Sequence, residues 1–122
     1  MIFHQFFDDV SSTYTYLISS GHGREALIID PVIENTEVYL NFLKKLQLKL
    51  VKVIDTHTHA DHISGLAELH YKTNCSTIMG EKAVADIVSI HVKDNEKIKI
   101  EDIELTAIYT PGHTDDSYSF FM

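Results

Sequence analysis

Leu50-Val51-Lys52-Val53-Ile54-Asp55-Thr56-His57-Thr58-His59-Ala60-Asp61-His62 is the stretch on which the fold turns. Its opening is short, β-branched and apolar, as in a strand buried on both faces. Its end, from His57 to His62, packs three histidines and an aspartate into six residues. Upstream, Tyr39, Leu43 and Leu46 fall at i, i+4 and i+7 of a helix that Asn35 or Thr36 would cap. Lys44, Lys45 and Lys49 suit the solvent side and C-terminal end of that helix. Before it, residues 25–30 read as another buried strand, closed by Pro31. Strand, helix and strand make a βαβ unit, so the fold class is α/β. The histidines then stand just past the carboxyl end of a strand, where ligands collect in open α/β sheets.

Working outward, residues 2–7 and 14–18 read as a β-hairpin, and Gly21-His22-Gly23 as turn chemistry. That glycine pair lacks the spacing, the following helix and the lysine of a phosphate loop. After the cluster, residues 63–71 predict a helix with Ile63, Leu66 and Leu69 on one side. Residues 75–79 return as a strand that Gly80 ends. Residues 97–100 and 103–108 alternate like antiparallel strands around Glu101-Asp102, and Pro111-Gly112 then forces a loop. The last run, Ser117 to Met122, is strand-like and aromatic.

The whole chain, residues 1–122, fits a single globular domain, with 44% hydrophobic and 23% charged residues. Eighteen acidic against ten basic residues give a formal charge of −8, which argues against nucleic acid and anionic membrane partners. No apolar run approaches the roughly 20 residues of a membrane span, and no secretory signal is legible, so the expected compartment is the cytoplasm. Cys75 stands alone, which excludes an intrachain disulfide and a cysteine-rich metal site. It opens a core strand and reads as a buried, inert thiol. A strand-like end with an open backbone edge predicts a chain truncated at its C-terminus, and a homo-oligomer that covers the edge.

The cluster carries the chemistry. In an extended segment residues i and i+2 project to one side, so His57 and His59 can share a cation, while Asp61 and His62 beyond a bend reach a second position. A two-metal clamp is then geometrically possible. The competing reading, a solvated turn capping the next helix, is much the weaker for three imidazoles and a carboxylate so close together. His113, in Thr110-Pro111-Gly112-His113-Thr114, is weak evidence alone. Beside the first cluster it completes a three-imidazole site open to water or substrate. Asp30 and Asp55 follow strands nearby, and either could orient a ligand imidazole through its other ring nitrogen. His4, His22, His70 and His91 are scattered and read as surface or packing residues. Ser11-Ser12-Thr13 has no partner for nucleophilic catalysis.

The cluster followed by Pro111-Gly112-His113 resembles the metallo-β-lactamase fold superfamily. Residues 6–17 and 24–32 look like its persulfide dioxygenase branch, with the hydroxyacylglutathione hydrolases (glyoxalase II) as near relatives. The resemblance implies a metallo-β-lactamase-like αββα sandwich, of which this chain covers about the first half. It implies metal ligation by His57, His59 and His113 at one position and by Asp61 and His62 at a second. In the dioxygenase relatives a single iron is held instead by the equivalents of His57 and His113 with a later aspartate. That facial triad leaves iron positions for dioxygen and substrate sulfur. The later aspartate lies past the end of this chain, and Asp115 and Asp116 read as loop-capping residues rather than substitutes.

The activity implied is that of a metalloenzyme oxidising glutathione persulfide at one iron, with a small thiol-derived molecule as partner. The alternative is a hydrolase of glutathione thioesters with two zincs, in which Asp61 is the candidate catalytic residue. A third reading is an inactive truncated fragment.

Overall fold

The computed structural model describes residues 1–57, 64–81, 87–112 and 116–122. Strands β1 (Ile2–Asp8) and β2 (Thr13–Ser19) form the expected hairpin, registered from Ile2↔Ser19 to Asp8↔Thr13. Asp8 closes its turn, with Oδ2 accepting from the Ser11 amide at 2.9 Å and the Ser11 hydroxyl at 2.6 Å. Strand β3 (Glu25–Ile29) pairs antiparallel with β2. A short 3-10 turn at Ile33–Asn35 and helix α1 (Thr36–Lys45) then carry the chain to β4 (Lys49–Ile54), parallel to β3. Helix α2 (Leu66–Thr73) leads to β5 (Ser76–Gly80), and the short β6 (Ile90–Val92) lies parallel at the edge. Among the described residues these strands make one sheet in the order β1-β2-β3-β4-β5-β6. Strands β7 (Lys97–Ile100), β8 (Ile103–Tyr109) and β9 (Tyr118–Phe121) make a second, antiparallel sheet.

Period-two alternation sorts the core into two layers. Leu17, Ile28 and Val53 turn one way, onto Tyr39 and Leu43 of α1 and Leu66 and Leu69 of α2. Ile18, Leu27, Ile29 and Ile54 turn the other way, onto Ile98, Ile100, Leu105 and Ala107 of the second sheet. The described residues therefore stack as helices, mixed sheet, second sheet, in three of the four layers of an αββα sandwich. Leu17, Leu27, Ile28 and Val53 are fully buried, each stabilising the fold by about 1.5–3 kcal/mol relative to exposure. Because β3 to β5 are covered on both faces, they read in sequence as continuous apolar runs.

Three local expectations need correction. Neither Asn35 nor Thr36 caps α1 through its side chain. Asn35 Nδ2 donates to Asp8 Oδ1 at 3.1 Å and Thr36 Oγ1 to the Ile33 carbonyl at 2.6 Å, so both are drawn to other partners. The strand expected at residues 75–79 runs instead from Ser76 to Gly80, so Gly80 is its last residue, and there the Tyr118 ring packs so closely that any side chain would collide with it. The helix expected at residues 63–71 is described from Leu66 to Thr73, and Ile63 lies outside the described residues.

Candidate metal centre

Strands β3 and β4 run parallel with Ile29 opposite Ile54, so Asp30 and Asp55-Thr56-His57 leave the sheet at the same end. Asp30 is left-handed, with φ 58°, a conformation that costs a residue bearing a Cβ about 1–2 kcal/mol. Its backbone is pinned on both sides, the amide donating to the Ile54 carbonyl at 2.7 Å and the carbonyl accepting from Thr15 Oγ1 at 2.7 Å. Thr15 is in turn 3.1 Å from the Tyr39 hydroxyl, which accepts from the Val32 amide at 3.0 Å. Thr15 and Tyr39 are buried, so helix α1 helps fix the Asp30 backbone through Thr15. The Asp30 carboxylate meets the outgoing β4 loop, Oδ1 accepting from the Thr56 amide at 2.7 Å and Oδ2 from the Thr56 hydroxyl at 2.8 Å. The same hydroxyl lies 2.9 Å from His57 Nδ1.

The second loop is rooted beside the first. At its base Thr110 N donates to Ser117 O at 3.0 Å, and Tyr118 N donates to Thr56 O at 2.8 Å. One backbone hydrogen bond thus separates the strand following the Pro111-Gly112 loop from the residue that contacts His57. Tyr118 is buried against Gly80, and that burial, followed by the nearby acids Glu81 and Asp94, pushes its phenol above the ordinary value. Asp116, expected to cap the loop, is a buried carboxyl at its far side.

Of the residues singled out by sequence, His57 lies at this end, half-buried. His59, Asp61, His62 and His113 lie outside the described residues, as does Asp115. Among the described residues no three potential ligands form a metal-holding group. The surroundings nonetheless suit a metal bound through His57. One ring nitrogen is already engaged by Thr56, and imidazole and carboxylate donors fit zinc and iron alike. Of the two acids expected to orient an imidazole, Asp30 bonds Thr56, whose hydroxyl contacts His57. Asp55 is buried beneath, its amide donating to the Ile78 carbonyl at 3.0 Å.

The intervening residue, Thr56, was missed by the sequence reading. The available signal was a hydroxyl between a strand end and the first histidine.

The expectations for Cys75 and for the scattered histidines hold. Burial raises the Cys75 thiol above its ordinary value, as an inert thiol requires. His4 stacks on Phe42 at 4.4 Å, His70 Nδ1 bonds the Cys75 carbonyl at 2.7 Å, and His22 and His91 are exposed.

A family model described as the metallo-beta-lactamase superfamily matches residues 8–122. The chain belongs to that superfamily. Its sequence is 32% identical to the human mitochondrial persulfide dioxygenase ETHE1 over 123 aligned residues, covering 100% of the chain and 48% of the relative. It is also 32% identical to a hydroxyacylglutathione hydrolase of Marinomonas sp., over 91% of the chain and 42% of the relative. The crystal structure of ETHE1 from Myxococcus xanthus superposes with a TM-score of 0.95 at 39% identity, over 99% of this chain and 53% of that one. A Staphylococcus aureus metallo-beta-lactamase superposes at 0.83 and 32% identity, over 98% of this chain and 37% of that one. The chain thus spans about half the length of the curated relatives it matches. No helix among the described residues is long and apolar enough to cross a membrane.

Proposed function

We propose that the protein to which this chain belongs oxidises a low-molecular-weight persulfide, glutathione persulfide, to sulfite with dioxygen at a mononuclear iron. The observation that carries this reading is the likeness to the ETHE1 structure, at 39% identity across 99% of the chain. On this reading His57 and His113 hold the iron, while His59, Asp61 and His62 surround it without binding. Iron at such a site would supply the redox chemistry that dioxygen needs to react with sulfur. The chain's own contribution is placement. Asp30 and Thr56 steady His57, and the Tyr118–Thr56 bond holds the root of the His113 loop against the root of the first. The cytoplasm is the proposed compartment, consistent with a cysteine that is free and buried. Oxygen uptake with glutathione persulfide, measured on the chain and on any longer product of its gene, tests the reading. Uptake should vanish on His113→Ala, and full retention would remove His113 from the site.

A second reading, a two-metal hydrolase of glutathione thioesters, is favoured by Asp61 and His62 beside His59 and by the hydroxyacylglutathione hydrolase relatives. Under it Asp61→Asn should abolish thioester turnover with loss of the second metal. A mononuclear iron enzyme carrying the same substitution should keep its metal.

A further inference from the structure

We propose that Asp30 and Thr56 are positioning residues that commit His57 to the tautomer protonated at Nδ1, so that Nε2 is its metal-binding nitrogen. The proposal rests on His57 being a ligand, as argued above, but its structural half stands without any metal.

The argument is one of proton counting. The Thr56 hydroxyl has a single hydrogen and sits between Asp30 Oδ2 at 2.8 Å and His57 Nδ1 at 2.9 Å. A carboxylate oxygen can only accept, so the hydroxyl hydrogen points to Asp30. The hydroxyl oxygen then presents a lone pair to Nδ1, which must carry a hydrogen to bond it. The opposite assignment, Thr56 donating to a bare Nδ1, would leave the Asp30 carboxylate facing a hydroxyl lone pair. Asp30 cannot turn away, because its other oxygen accepts from the Thr56 amide at 2.7 Å. Its backbone is equally fixed, through Ile54 on one side and Thr15 on the other.

Direction can be followed further back. Thr15 gives its only hydroxyl hydrogen to the Asp30 carbonyl, so Tyr39 donates to Thr15 and accepts from the Val32 amide. Two runs of donors thus converge on Asp30, one from Tyr39 through Thr15 onto its carbonyl and one from His57 through Thr56 onto its carboxylate. Asp30 also holds a left-handed φ of 58° that no glycine relieves. Strain retained at a polar residue beside a candidate ligand is the pattern expected where position matters to function. In metal sites the partner of a ligand histidine's second nitrogen fixes both tautomer and ring orientation. Here that partner is a hydroxyl backed by a carboxylate.

The test uses the metal-free chain first. Imidazole nitrogen NMR above the histidine titration range, with His57→Gln to assign the signals, should show His57 protonated at Nδ1. Thr56→Val should lose that preference, Thr56→Ser should restore it, and Asp30→Asn, whose amide tolerates a left-handed backbone, should weaken it. Zinc titration by calorimetry should then show affinity about 10–100-fold lower in Thr56→Val and Asp30→Asn, with Thr56→Ser close to the parent. His57 protonated at Nε2 in the parent chain would overturn the proposal, as would an unchanged tautomer in Thr56→Val. If the parent shows the Nδ1 tautomer but His57→Gln binds zinc as well as the parent does, the relay stands and the reading of His57 as a ligand fails instead.

Discussion

Two acidic residues in left-handed conformation stand at opposite ends of the sandwich, Asp30 with φ 58° and Glu101 with φ 48°. Both use a carboxylate to collect donors from a neighbouring loop. Asp30 takes the amide and hydroxyl of Thr56, where β3 and β4 end. Glu101, in the turn between β7 and β8, takes the Glu25 amide at 2.5 Å, Arg24 Nε at 2.6 Å and the Ser20 hydroxyl at 3.4 Å, where β3 begins. The first binds two strands of one sheet, and the second fastens one sheet to the other. What separates them is the next atom along. Beyond Thr56 lies an imidazole, whereas beyond Glu101 lie a half-exposed arginine and solvent. The same local device therefore serves as a clasp at one end and as a support for candidate chemistry at the other.

Substitutions can break or sharpen that contrast. The largest difference should be in metal binding. Asp30→Ala removes the carboxylate behind Thr56 and is expected to weaken zinc binding about 10–100-fold, while Glu101→Ala leaves it unchanged. Competition with a chromogenic chelator reads both, and equal losses would erase the distinction. Gly80→Ala comes next, because the added methyl must displace the buried Tyr118 ring and with it the Tyr118–Thr56 tie. A loss of about 2 kcal/mol, the middle of the range for overpacking, should appear in urea denaturation. Tyr39→Phe should cost about 1 kcal/mol or slightly more in the same experiment, since the buried Val32 amide loses its acceptor.

The smallest effect belongs to the clasp and should show in the pH dependence of stability. The Glu25 amide, then Arg24 and Ser20, hold the Glu101 carboxyl below its ordinary range. A carboxyl depressed by folding stabilises the fold above its unfolded value of about 4.3, and that contribution disappears as pH falls through the lower folded value. Glu101→Gln should therefore flatten the acid limb of a stability–pH profile by lowering its neutral region slightly, toward the value the unsubstituted chain reaches in acid. An unaltered acid limb would show that the clasp contributes no pH dependence.

Much of the frame was legible because burial imposes a pattern on sequence. The doubly covered strands read as apolar runs, and α1 was visible through Tyr39 and Leu43. The short β6 was not, since residues 90–92 are too few to alternate and are placed by pairing with β5. Gly80 looked like a strand breaker because its reason for being glycine, the Tyr118 ring, lies far along the chain. The candidate site divides in the same way. Histidine spacing announced a metal motif, but the Asp30–Thr56–His57 relay depends on Ile29 standing opposite Ile54, and register across a parallel pair is not written in either strand alone. His59, Asp61, His62 and His113 remain assignments made from the motif, while the roots of both loops are fixed by hydrogen bonds at one sheet end.

Metal content per chain, by elemental mass spectrometry on protein purified without added metal or chelator, tests the central claim most directly. The account predicts about one iron per polypeptide in the protein to which this chain belongs, and loss of that iron in its His57→Ala variant. Two zincs per polypeptide, or iron retained in full after His57→Ala, would contradict it.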